Sequence, residues 1–144
     1  MIRIEKNSKP TKKKLDCFLE KFDFIFPVGF IKFYTKANGG YIYSNERYIH
    51  LYDFNDMILY KIYSPKYSEL VSKLLIFASD GGEMCYLINK NTGYIYEAPF
   101  IGGEEYLTFV CKTFTDFLEV FPLISIDKSM NNMQNSYNKN KNNE

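Results

Sequence analysis

The chain has 144 residues, a formal net charge of +1, and 13 phenylalanines and 13 tyrosines but no tryptophan. This length predicts one domain whose core needs neither a disulfide nor a metal. The balanced charge argues against nucleic acid and anionic membranes as partners. Three cysteines without C-x-x-C spacing, no apolar leader and no apolar run of about 20 residues predict reduced thiols in a cytoplasmic protein.

Two helices are predicted in the first third of the chain. Apolar residues at i, i+3, i+4 and i+7 indicate an amphipathic helix over residues 9–21. The pair Phe26-Pro27 opens a second helix, with Pro27 at its first position. Asn38-Gly39-Gly40 is expected to end it, because Asn and Gly tolerate the left-handed backbone that caps helices.

The middle of the chain reads as strands with short helices between them. Residues 41–44 and 47–52 predict two short strands, and Asp53 or Asn55 is placed to cap a short helix after them. A further helical turn is predicted over residues 64–72. The apolar run 74–78 predicts a central strand.

A turn, a hairpin and a last strand follow. Asp80-Gly81-Gly82 turns the chain, and residues 84–89 and 94–98 form a hairpin whose loop needs Gly93 at a positive φ. Residues 106–111 predict another strand.

The last predicted helix begins after Thr113, with Asp116 in the position of a capping box. Phe114, Phe117 and Leu118 form its apolar stripe. Residues 131–144 contain seven asparagines and no Leu, Ile, Val or Phe, so we expect residues 127–144 to be a disordered Asn/Lys-rich tail after a single domain over residues 1–126.

The sequence offers little catalytic chemistry. His50 is the only histidine, lies in a strand pattern, and is read as structural or exposed. Asp80, Glu83 and other acidic residues near the hairpin could pair for acid–base work, but solvated loop charges are favoured. We expect no catalytic residue, no metal site and no cofactor.

Tyrosines cluster after the second helix, at positions 41, 43, 48 and 52. Because alternate residues of a strand face opposite ways, some of them are left outside, where they would form a Tyr-rich patch beside the acidic loops. The alternative, that all pack inside with their hydroxyls at the rim, stays open. The candidate partner-binding residues are Tyr41, Tyr43, Glu83, Glu97, Glu104 and Glu105.

The order of these phrases, from Phe26-Pro27 through Asn38-Gly39-Gly40 and Asp80-Gly81-Gly82 to the segment 112–118, resembles the SUKH superfamily over about residues 10–122. The resemblance implies an α+β fold, a twisted antiparallel sheet with helices packed on one side, and no enzymatic activity. It assigns structural roles to the shared positions, which are Pro27, Asn38, Gly39, Gly40, Asp80, Gly81, Gly82, Phe114, Phe117 and Leu118.

The resemblance also implies a function, because the superfamily includes bacterial toxin-immunity proteins and fungal regulators of glucan synthesis. We therefore expect a protein-binding domain, foremost an immunity protein that binds and neutralises a polymorphic bacterial toxin. One alternative is a regulatory scaffold like the fungal relatives. A second alternative is a small hydrolase with carboxylates at Asp80 and Glu83.

Overall fold

The computed structural model describes residues 1–22, 25–63, 73–101 and 106–126, without the side chains of residues 61–63. It contains seven strands and four α-helices within these ranges. The strands are β1 (Arg3–Lys6), β2 (Gly40–Tyr43), β3 (Tyr48–Leu51), β4 (Leu74–Ser79), β5 (Met84–Asn89), β6 (Ile95–Pro99) and β7 (Thr108–Cys111). The helices are α1 (Lys12–Glu20), α2 (Val28–Lys36), α3 (Phe54–Tyr63) and α4 (Phe114–Glu119), and a 3₁₀ helix covers Phe121–Leu123.

The seven strands form one sheet in sequence order, and every neighbouring pair is antiparallel. The predicted α+β fold with an antiparallel sheet is therefore confirmed. Strand β4, predicted from its continuous apolar run, lies in the centre and is buried along its whole length. Strand β1 was not predicted; its four residues include three charged ones and form an edge of the sheet.

The core lies between the sheet and the helices α1, α2 and α4. Aromatic rings fill it: Phe114 of α4 contacts Phe30 of α2 and Phe77 of β4, with centroids 5.2 and 5.6 Å apart. Phe117 packs against Phe77 at 5.0 Å. The stripe predicted for the last helix thus faces the sheet, with Leu118 half-buried beside it.

Helix α3 differs from the other three because it contacts both faces of the sheet. At its start, Phe54 stacks on Phe18 of α1, on the helix side. Two turns later, Tyr60 stacks on Tyr52, which follows β3 on the same face as His50. Asp53 caps this helix as predicted, since its Oδ1 accepts a hydrogen bond from the Asp56 amide.

Threonine side chains cap the starts of α1 and α4, and only the second of these caps was predicted. Thr11 accepts a hydrogen bond from the Lys14 amide at the start of α1. Thr113 accepts one from the Asp116 amide at the start of α4. Pro27 was predicted to be the first residue of α2. It is instead the N-cap, and the helix begins one residue later, at Val28.

The end of α2 corrects the prediction for Asn38-Gly39-Gly40. The helix ends at Lys36, and Ala37 is already extended, so no left-handed residue caps it. Gly39 has φ +80°, and a Cβ on it would lie 2.5 Å from the Leu51 carbonyl oxygen. A Cβ on Gly40 would clash with the Glu5 carbonyl oxygen. These glycines are therefore required by close approach of the backbones of β1 and β3.

Asn38 joins three segments at this point. Its side-chain oxygen accepts a hydrogen bond from the Phe54 amide at the start of α3, and its carbonyl accepts one from the Asn7 side chain. Asn38 therefore fixes where α3 leaves the sheet. The predicted helical turn over residues 64–72 and the predicted disordered tail lie outside the described residues.

Candidate functional site

Four side chains of the hairpin β2–β3 share the face of the sheet opposite α1, α2 and α4. The register pairs Tyr41 with His50 and Tyr43 with Tyr48. The intervening residues Ile42, Ile49 and Leu51 are fully buried on the helix side. We call Tyr41, Tyr43, Tyr48 and His50 the aromatic face.

The rings of the aromatic face hold one another in place. Tyr41 stacks on His50 with centroids 4.7 Å apart and planes 11° apart. Tyr48 lies 6.1 Å from Tyr41 and 5.4 Å from Tyr43. Tyr48 is 39% exposed, and the other three are half-buried. Mutual packing fixes the rotamers of these side chains, so a partner that docks here has less side-chain entropy to remove.

The row of rings continues beyond the hairpin towards β6. His50 meets the edge of Tyr52 at 5.1 Å, Tyr52 stacks on Tyr60 of α3 at 5.0 Å, and Tyr60 contacts Phe100 at 5.6 Å. Burial raises the pKa of the Tyr52 hydroxyl, which is hydrogen-bonded to Ser79 and Tyr60. Tyr52, which is buried, thus connects the rings of the aromatic face to the half-buried rings of Tyr60 and Phe100.

Two charged residues of β1 border the aromatic face. Register places Arg3 beside Tyr43 and Glu5 beside Tyr41. The guanidinium carbon of Arg3 lies 4.6 Å from the centroid of the Tyr43 ring. The same guanidinium is 3.6 Å from the Glu5 carboxylate.

The loop between β4 and β5 borders the aromatic face on its other side. The Oδ1 atom of Asp80 accepts hydrogen bonds from the Gly82 and Met84 amides, at 2.8 and 3.2 Å. Gly81 has φ +79°, and a Cβ on it would lie 2.9 Å from the Tyr48 ring. The Asp80-Gly81-Gly82 motif therefore shapes a loop that touches Tyr48 and leaves Glu83 exposed.

The start of α3 adds negative charge near His50. Burial raises the pKa of the Asp56 carboxyl, the Asp53 carboxylate raises it further, and the imidazole of His50 acts in the opposite direction.

Glu97, predicted as a partner contact, lies on the opposite face. It pairs with Tyr86, whose ring packs 5.1 Å from Phe117 on the helix side. Burial raises the pKa of the Glu97 carboxyl, while Arg47 and a hydrogen bond from Tyr86 oppose that rise. The guanidinium of Arg47 also covers the Phe121 ring, 4.1 Å from its centroid. Glu97 therefore belongs to a cluster that holds the 3₁₀ helix, separate from the aromatic face.

The structure brings together Tyr41, Tyr43 and the loop of Glu83, and separates Glu97 from them. Glu104 and Glu105 lie outside the described residues. Three residues of the aromatic face or its border were not among the candidate partner contacts: Tyr48, which was counted only in the tyrosine cluster, His50 and Arg3. The alternation Tyr48-x-His50-x-Tyr52 was the available signal, because it puts these rings on one side of a strand.

Among the described residues, no group of three or more His, Cys, Asp and Glu side chains is arranged to hold a metal ion. Within the same ranges, no helix is long and apolar enough to cross a membrane. Cys17 is exposed, Cys85 is buried and Cys111 is half-buried, and all three are free.

The chain matches a known protein family. A family profile described as SMI1 / KNR4 family (SUKH-1) matches residues 9–120, well over half of the chain. The matched region includes the aromatic face and the Asp80–Glu83 loop but not β1. A comparison with curated proteins finds no match.

Proposed function

The chain belongs to the SMI1/KNR4 family (SUKH-1), and from this premise we propose that it is a non-enzymatic immunity protein, which binds a bacterial toxin domain and blocks it. The family assignment agrees with the superfamily resemblance seen in the sequence. The toxin and the blocking role are our proposal, and the aromatic face is the observation on which it rests.

The composition of the aromatic face suits protein recognition. Tyrosine combines a large apolar ring with a polar hydroxyl, and it is enriched in protein interfaces and among the residues that dominate binding energy. Three tyrosines and a histidine share one side of a hairpin here, held by their own stacking. A core position would have buried them, as it buries Ile42 and Ile49 in the same strands.

The hydrolase alternative finds less support in the geometry. A general acid or base must present its carboxyl to a substrate. The Oδ1 atom of Asp80 is occupied by two backbone amides that close its own loop. Glu83 is exposed at the end of the same loop. This arrangement favours a loop-shaping role for Asp80.

The test is survival of cells that express a candidate toxin domain together with this chain. The first candidate is the C-terminal domain encoded beside the gene. Growth that depends on the chain supports immunity, and a chain carrying Tyr41→Ala and Tyr43→Ala should protect poorly. Death despite normal levels of folded chain for every candidate toxin would reject immunity and favour the scaffold alternative.

A further inference from the structure

The aromatic face already binds one guanidinium, that of its own Arg3. The group lies over the Tyr43 ring at 4.6 Å and is 3.6 Å from the Glu5 carboxylate. A ring face below and a carboxylate beside it are the two partners that a guanidinium prefers. The side chains of Arg3 and Glu5 are mostly exposed, so this pair stands in solvent at the border of the face.

The remaining rings have carboxylates nearby but no comparable cation among the described contacts. Glu83 is exposed in the loop that touches Tyr48. Glu5 lies beside Tyr41 in the register of β1 and β2. Rings with electron-rich faces are therefore bordered by negative charge on two sides.

Lysines lie mainly elsewhere in the described structure. Helices α1 and α2 carry five exposed ones, namely Lys12, Lys13, Lys14, Lys32 and Lys36. The net charge of +1 thus conceals an uneven distribution of these lysines, which lie on helices on the other side of the sheet, where Asp16, Glu20, Asp116 and Glu119 are also exposed. The electrostatic potential at a binding surface can be negative even when the net charge of the whole protein is not.

We propose that the aromatic face receives an arginine-bearing basic segment of the partner protein, with the guanidinium groups over Tyr41 and Tyr48 and paired with Glu83. This inference rests on the proposed function and names the chemistry of the partner. Arginine is specified over lysine because its planar group stacks on rings and forms two hydrogen bonds to one carboxylate.

The experiment measures anisotropy of a fluorescein-labelled hexa-arginine peptide titrated with the full chain at about 0.1 M salt. At that ionic strength the screening length is about 10 Å, so distant charges contribute little. Hexa-lysine and hexa-glutamate, labelled in the same way, are the comparison peptides. We expect hexa-arginine to bind tightest, hexa-glutamate not to bind, and the hexa-arginine affinity to fall as salt is raised.

Two variants locate the binding site, and one matched variant controls for charge alone. Glu83→Lys should weaken hexa-arginine binding about three- to tenfold, since it reverses one charge at the border of the face. Tyr41→Ala with Tyr48→Ala should weaken it about tenfold. Glu119→Lys makes the same charge change on α4, at an exposed position on the helix side, and should leave affinity within about twofold.

The inference is overturned if hexa-arginine does not bind, if hexa-glutamate binds better, or if Glu119→Lys weakens binding as much as Glu83→Lys. Because Glu83 is an exposed loop residue, Glu83→Lys keeps the test decisive even if the tyrosine variant unfolds. Cell survival is a separate readout. Rescue without hexa-arginine binding rejects the basic segment and leaves immunity standing, whereas hexa-arginine binding without rescue supports the basic segment and rejects immunity.

Discussion

The hydroxyl of Tyr34 is a polar group in the centre of an aromatic core. The side chain is fully buried, and its hydroxyl donates a 2.6 Å hydrogen bond to the Tyr52 carbonyl. Burial raises the pKa of this hydroxyl, and Asp53 and Asp56 raise it further, so it remains a donor. The bond ties α2 to Tyr52, which follows β3 and belongs to the row of rings.

Tyr34→Phe should therefore destabilise the protein by about 1–2 kcal/mol, because the Tyr52 carbonyl is left buried without this donor. Urea unfolding followed by far-UV circular dichroism measures the change. Tyr106→Phe, at an exposed position, is the matched control and should change stability by less than about 0.5 kcal/mol. Equal stability of the two variants would show that the hydroxyl of Tyr34 has no net effect.

Glu97 makes stability depend on pH in a direction opposite to that of most carboxylates. Its pKa in the folded protein is raised, chiefly by burial, so the folded state holds this proton more tightly than the unfolded state. The stabilisation is complete below the unfolded-state pKa and is lost as pH rises through the folded-state pKa.

Glu97→Gln removes this titration and keeps an oxygen that can accept from Tyr86. We expect the melting temperature of the variant, relative to wild type, to increase as pH is raised from about 4 to 7. Thermal melts at several pH values measure this, with Glu119→Gln as the exposed control. A difference between variant and wild type that stays constant with pH would refute the raised pKa.

Among the elements, the junction of α2 with β2 depends most on one residue type. Gly39 adopts φ +80°, and any side chain there would meet the carbonyl groups of Leu51 and Tyr52. The sequence identified the glycines but assigned them to helix capping. The need for glycine at these positions could not be predicted from the sequence, because the close contacts join residues far apart in the chain. Those contacts depend on how β1, β2 and β3 pair.

Gly39→Ala should cost about 2 kcal/mol from the backbone conformation alone, with the clash adding to that cost. Gly82→Ala is the matched control in the second glycine motif. Its φ is not positive, and the nearest atom to a Cβ is 3.5 Å away, so it should change stability by less than about 0.5 kcal/mol. Chemical unfolding of both variants gives the comparison, and similar losses would contradict the account of Gly39.

Elements with strong local signals were predictable from the sequence. The apolar run of β4, the Gly93 turn with its φ of +75°, and the Thr113 cap of α4 all act within a few residues. Strand β1 was missed, because Arg3–Lys6 is short and mostly charged and forms only by pairing with β2. Local patterns cannot report such pairing.

At the scale of the whole molecule, the two faces of the sheet differ in what they carry. One face packs against α1, α2 and α4 and forms the core, and the other presents the aromatic face between β1 and the Asp80–Glu83 loop. The tyrosines and acidic residues can be counted in the sequence, but the face of the sheet on which each one lies cannot be predicted from it. Glu97 and Glu83 are near in sequence, yet strand register turned Glu97 towards the core.

The most direct test of the central claim is the affinity of the chain for a toxin domain that it neutralises, measured by isothermal titration calorimetry. Tyr41→Ala with Tyr43→Ala removes half of the aromatic face. Tyr106→Ala with Phe109→Ala removes two exposed rings near the β7 edge instead and is the matched control. Circular dichroism verifies that both variants fold.

Our account predicts that the first double variant loses at least about 2 kcal/mol of binding free energy, roughly 30-fold in Kd. The control should bind like wild type. Wild-type affinity of the folded Tyr41/Tyr43 variant, or a comparable loss in the control, would contradict the assignment of the aromatic face as the binding surface.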